Sequence, residues 1–175
     1  LYNRIDVAQV RTDLLSRDEA RVALSIPAHT HVIANVGRLH YDKDQATLLR
    51  AYAQALPHLP DDCLLLILGK GPLEPDLKAQ AQALGISHKV RFAGQVPNAR
   101  RYFRAFDHFV LSSDHEPFGM VLLEAMAAEL NISCSDSGGG AEVVRGIGQL
   151  FPLGDAASLA NLMVAVATQD QLPGT

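Results

Sequence analysis

The chain has 175 residues, 48% of them hydrophobic, with 15 Lys or Arg against 19 Asp or Glu and a net charge of −4. That length and hydrophobicity suit one packed domain, and the acidic balance without a basic run argues against a nucleic-acid-binding face. Apolar runs are short, as in Cys63–Leu68, and none approaches the roughly 20 residues a membrane-spanning helix needs. No N-terminal signal pattern is visible, so the expectation is a soluble, cytoplasmic protein. The chain opens at Leu1 and reads like a linker entering a fold; a preceding domain is expected, with residues 1–175 forming one unit. Cys63 and Cys134 lie inside apolar runs and are expected to be buried, reduced thiols.

In chain order, Ser16-Arg17-Asp18-Glu19 is a capping box opening a short helix to about Leu24, which Pro27 prevents from continuing. Strands are predicted at 31–36, 63–68, 90–93, 108–112, 131–135 and 149–151. Between them, Leu48, Leu49, Tyr52, Ala53 and Leu56 mark one face of a helix over 44–56, with Asp44 as N-cap and Pro57 as stop. A helix over 74–84 is closed by Gly85, and others start at Asn98, at Phe118 and after Asp155. Apolar strands alternating with single helices predict an α/β domain, a Rossmann-like doubly wound parallel sheet of about six strands covered on both faces. Ligands of such sheets bind at the carboxyl ends of the strands, so the chemistry belongs in the strand-to-helix loops.

The first loop, Gly37-Arg38-Leu39-His40-Tyr41-Asp42-Lys43, carries two cations five residues apart just before a helix start. That suits a diphosphate, although two solvated surface cations would look the same. Gly69-Lys70-Gly71-Pro72 fails the dinucleotide fingerprint because its third glycine position is Glu74. The loop reads instead as a close approach of backbone to a ligand. Glu116 ends the fourth loop, and Glu124 follows eight positions later in an otherwise apolar helix, where an unpaired carboxylate would be costly to bury. Phe118, Gly119, Met120 and Val121 make that helix's first turn, whose free N–H groups can hold a phosphate. Gly138-Gly139-Gly140 is expected to be a loop, either approaching a ligand or turning freely. Asp42-Lys43-Asp44 matches a metal-binding D-x-D, but Asp44 is wanted as a cap and Lys43 would sit in the metal site. No metal site is expected. Among the scattered histidines only His115, beside Glu116, stands near this chemistry.

Glu116 and Glu124 with the intervening Pro-Phe-Gly-Met-Val-Leu-Leu resemble the signature of the group 1 glycosyltransferases, a retaining family of GT-B fold. Gly37-Arg38-Leu39 with Lys43, Gly69–Pro72, Val90–Gly94 and Gly138–Glu142 follow in that family's order, so the likeness covers roughly residues 2 to 168. The resemblance implies the nucleotide-sugar-binding C-terminal half of a GT-B enzyme. By that likeness Arg38 and Lys43 hold the donor diphosphate, assisted by backbone of Gly37, Gly71, Phe118, Gly119, Met120 and Val121. Glu116 holds the donor sugar's hydroxyls, Glu124 the ribose, and the loop at Val96 packs near the base; Arg38, Lys43 and Glu116 carry the catalysis. It further implies a UDP- or GDP-sugar donor, no cofactor or metal, and an acceptor glycan or glycolipid held by an N-terminal domain. Polysaccharide, lipopolysaccharide or glycolipid biosynthesis and peripheral membrane association complete the expectation. Where the family continues A-x-G-x-P-V, this chain has Ala128-Glu129-Leu130-Asn131-Ile132-Ser133. A GT-B sugar-nucleotide epimerase and a non-catalytic nucleotide-sugar-binding module are the alternatives.

Overall fold

The computed structural model describes residues 7–114 and 120–169. Its six strands are β1 (His31–Val36), β2 (Cys63–Leu68), β3 (Val90–Gly94), β4 (His108–Leu111), β5 (Asn131–Ser135) and β6 (Gln149–Phe151). They form one sheet in the order β3-β2-β1-β4-β5-β6. Every pairing is parallel; β1 runs beside β2 from His31 opposite Cys63 to Val36 opposite Leu68. The order reverses between β1 and β4, which is the switch point where such sheets open a crevice.

Because side chains alternate across a strand, each strand feeds two cores. On one face Ile33, Leu65 and Ile67 pack against α3 (Gln45–Ala55), α4 (Glu74–Ala83) and α7 (Ala156–Gln169) through Leu48, Leu49, Tyr52, Leu77 and Met163. On the other, Val32, Ala34, Leu66 and Leu68 meet Phe103, Phe106, Phe109, Leu122 and Ala125. The second face is covered by α2 (Arg17–Ala23), a 3-10 helix at Ala99–Ala105 and α5 (Met120–Ala127).

Local signals hold at most element starts. Ser16 accepts from the Glu19 amide at 3.1 Å, and Asp44 accepts from Thr47 N at 3.3 Å, as an N-cap should. A helix α1 (Val7–Asp13), not anticipated from the sequence, precedes the capping box. Three expectations need correction. The helix at 98 is a 3-10 helix, and the helix before Pro57 ends at Ala55, with a 3-10 turn over Leu56–His58. The glycine triplet is not loop: it begins α6 (Gly138–Val144), with Ser137 at the cap position. Within 128–133, Glu129 takes φ 61, left-handed backbone that a glycine adopts at less cost. Both cysteines are buried and neither is in a disulfide.

At the amino ends of the strands a polar cluster ties the layers. Arg21, 2% exposed, donates to the carbonyls of Ala105, Pro27, Ala28 and Thr30 and to Asp107 Oδ2. Asp107 also accepts from Arg17 and from Val32 N. Next to it His108 is fully buried, its Nε2 2.7 Å from Ser133 Oγ. Burial, with His31 adding to it against the pull of Asp107, drops the His108 pKa from its ordinary 6.5 to about 3. The unfolded chain therefore binds a proton below 6.5 that the folded chain refuses. Stability is intact above that pH and falls by up to about 1.4 kcal/mol per pH unit on the way down toward 3. Urea midpoints at pH 7, 6 and 5 should show this slope, and His108→Asn should flatten it; an unchanged slope in the variant would assign it to other groups.

Candidate functional site

The carboxyl ends of β1, β2 and β3 extend as hydrogen-bonded loops. Gly37 N donates to Leu68 O at 2.9 Å, Leu39 N to Lys70 O at 3.1 Å and Gly69 N to Gly94 O at 2.8 Å. Backbone on backbone at this distance leaves no room for Cβ atoms. One on Gly69 would lie 1.9 Å from Gly37 O, and one on Gly71 2.3 Å from Leu39 O. This corrects the sequence reading: these glycines admit the neighbouring loop, and any ligand meets the surface the two loops make together.

That surface is the floor of a cavity of about 780 Å³. Gly37, Arg38, Gly71 and Val96, all expected at the site, line it together with Val36, Leu68, Gly69, Lys70, Pro72, Glu74, Gln95 and Ala99. Arg38 is exposed, and its carbonyl is fixed by Gln45 Nε2 at 2.9 Å. Lys43 stands on a 3-10 turn at Tyr41–Lys43, and a Cβ on Gly37 would come 4.0 Å from its Cδ. The turn is braced from β4's loop, where Ser112 Oγ shares its proton between the Lys43 and Asp44 carbonyls at 2.9 Å and Asp114 N donates to Asp42 O at 2.7 Å. The backbone that carries Lys43 is thereby fixed close to the cavity that Arg38 lines.

Met120 and Val121 lie at the described N-terminal end of α5, half-buried, on the carboxyl side of β4. Glu124 is one turn further, also half-buried. Burial raises its carboxyl pKa, and the nearby Arg100 opposes that. Among the described residues its carboxylate accepts no hydrogen bond, so the donor expected from the sequence is not supplied by them. His115, Glu116, Phe118 and Gly119 lie outside the described residues. The D-x-D aspartates are otherwise engaged: Asp42 Oδ1 is 2.6 Å from His40 Nδ1, which holds its carboxyl below the usual range, and Asp44 caps α3. Among the described residues no group of three or more His, Cys, Asp or Glu is placed to hold a metal, and no described helix is long and apolar enough to cross a membrane.

Lys70, Glu74, Gln95 and Ala99 were not singled out from the sequence as ligand-facing. The only signal was the misfit of Glu74 to a dinucleotide loop, and its place on the cavity wall required the β2–β3 register.

Fold and cavity together define a Rossmann-like domain of the kind that makes one half of a GT-B enzyme. The chain matches the family Glycosyl transferases group 1 over residues 16–172, and it belongs to that family. It is 34% identical to the lipopolysaccharide core biosynthesis glycosyltransferase LpsE of Rhizobium meliloti, over 87% of this chain and 44% of that protein. It is 33% identical to a Campylobacter jejuni N-acetylgalactosaminyltransferase acting on a diphospho-undecaprenol substrate, over 83% of this chain and 37% of that one. The chain thus spans less than half the length of these relatives. Among solved structures, Anabaena HepE in complex with UDP superposes with TM-score 0.83 at 26% identity, over 98% of this chain and 48% of that one. The C-terminal domain of a group 1 glycosyltransferase (LpcC) of Francisella tularensis shares the fold with TM-score 0.82 at 21% identity, covering 96% of this chain and 90% of that domain.

Proposed function

We propose that this domain binds the nucleotide-diphosphate sugar of a retaining, metal-independent glycosyltransferase. In this reading a partner domain, outside residues 1–175, holds a glycan or glycolipid acceptor at the cytoplasmic face of a membrane. The observation that carries the reading is the one cavity joining Gly37, Arg38, Gly71 and Val96 at the carboxyl ends of β1, β2 and β3, with the turn that carries Lys43 braced beside it. The UDP complex of HepE supports a nucleotide there, and the name of LpsE supports lipopolysaccharide biosynthesis.

The roles follow from chemistry. Arg38 and Lys43 offer only donors and positive charge, so they strengthen their hold as charge builds on the departing diphosphate. Glu124 accepts the ribose hydroxyls; burial alone would favour its neutral form, and Arg100 favours the charged form that accepts best. In this reading Glu116 takes the sugar hydroxyls, and Phe118, Gly119, Met120 and Val121 supply backbone N–H groups to the phosphates. With Asp42 held by His40 and Asp44 spent on capping, the cations of the protein replace a metal.

Calorimetry tests this. Hydrogen bonds to charged groups contribute about 1.5–3 kcal/mol, so Arg38→Ala should weaken UDP and GDP by about one to two orders of magnitude and barely change uridine or guanosine. Affinity for the diphosphates should survive EDTA. Equal losses for nucleotide and nucleoside would remove Arg38 from the phosphate site, and a collapse of affinity in EDTA would restore a metal.

A further inference from the structure

The cavity has a direction that the sheet order fixes. β1, β2 and β3 are successive neighbours, so with strands about 4.8 Å apart the rim runs about 10 Å from the β1 loop to the β3 loop. Arg38 stands at the β1 end, Gln95 and Val96 at the β3 end, and Lys70 and Glu74 between them. In the proposed reading a nucleoside diphosphate anchored at Arg38 spans that distance with its base toward β3, over the apolar Val96 and Ala99.

The polar groups around that end are not equivalent. Arg38 and Lys70 can only donate, Gln95 does both, and Glu74 can only accept. A phosphate, itself an acceptor, gains nothing from Glu74. The carboxylate opens α4, which connects β2 to β3, and its i,i+4 partner Lys78 is 3.5 Å away and 56% exposed, a pairing worth little and easily given up. Its side chain is 32% exposed, so it is available to a ligand that brings an N–H.

We infer that Glu74, with Lys70 beside it, reads the edge of the donor's base and selects a lactam edge, an N–H next to a C=O. Uracil offers N3–H beside O4, and guanine offers N1–H beside O6. Cytosine and adenine present the reverse, a ring-nitrogen acceptor beside an amino donor, which would set acceptor against Glu74 and donor against Lys70. A mismatched base loses these hydrogen bonds and sets like against like, acceptor facing Glu74 and donor facing Lys70. This rests on the reading of the cavity as the nucleotide site.

The test is titration of the 175-residue chain with UDP, GDP, IDP, CDP and ADP, for the unaltered protein, Glu74→Ala, Glu74→Gln and Arg38→Ala. UDP, GDP and IDP should each bind about tenfold or more tighter than CDP and ADP. Glu74→Ala should bring all five within about threefold by weakening the first three. Glu74→Gln, whose amide both donates and accepts, should improve CDP and ADP. Equal affinities in the unaltered protein, an unchanged ranking in Glu74→Ala, or an equal loss for all five, which would mean a ribose contact, each overturn the inference. The ratio of UDP to GDP says which lactam base is natural, and IDP shows whether guanine's amino group matters. If no diphosphate binds, or binding ignores Arg38→Ala, the site itself is wrong and the inference falls with it.

Discussion

Gly69→Ala is expected to abolish the native fold or cost it more than about 4 kcal/mol, the range reserved for substitutions with no room to relax. The backbone at Gly69 has φ 135, which L side chains rarely adopt, and the new methyl would lie 1.9 Å from Gly37 O and 2.8 Å from Gly37 C. Neither atom can step aside without breaking the bonds from Gly37 N to Leu68 O and from Gly69 N to Gly94 O. Gly37→Ala is the control, because its methyl meets only Lys43 Cδ at 4.0 Å; it should stay within about 1 kcal/mol of the unaltered chain. Urea melts of both variants decide the point. Similar midpoints would show that the two loops are not packed as described.

The second large effect is on chemistry. The 175-residue chain alone should bind a donor nucleotide yet transfer no sugar. The cavity-lining groups lie along the carboxyl edge of a single sheet, and among the described residues none stands opposite them to hold an acceptor. Positioning two reactants supplies roughly 7–11 kcal/mol of barrier lowering, and half a cleft lacks it. Half a cleft also leaves the diphosphate in water, where each charge contact weakens. Affinity should then fall in the high-micromolar to millimolar range, about −4 to −6 kcal/mol. A transfer assay with a donor shown to bind and an acceptor of the intact enzyme checks this; turnover comparable to the intact enzyme would place the acceptor site within residues 1–175.

The sheet was legible because β1 and β2 are largely apolar runs with clear ends and short apolar stretches recur at β5 and β6, and the predicted bounds 31–36, 63–68, 131–135 and 149–151 match the structure. The start of α3 was legible through Asp44, whose capping is local chemistry. α6 was not, since three glycines carry a poor helix propensity that packing against β5 overrides. The site was legible where charge marked it, at Arg38, and the structure brings Arg38, Gly71 and Val96 to one wall. The reason for Gly69 and Gly71 was not legible, because their partners Gly37 and Leu39 lie some thirty residues away in sequence and meet them only once β1 and β2 pair. Glu74 was hidden for the same reason: a carboxylate at a helix start is ordinary until the opposite wall is known.

Arg21 has consequences for how such a domain can change over time. Its bonds to Ala105, Pro27, Ala28, Thr30 and Asp107 rivet the sheet at the amino ends of its strands, where the described cavity does not reach. Anchoring and recognition are thus assigned to opposite poles of one sheet. A lineage can exchange cavity-lining residues such as Lys70 or Gln95 while the rivet keeps β1 and β4 in alignment. Loops on a rigid scaffold are where new specificities arise, and here drift at one pole leaves the other intact.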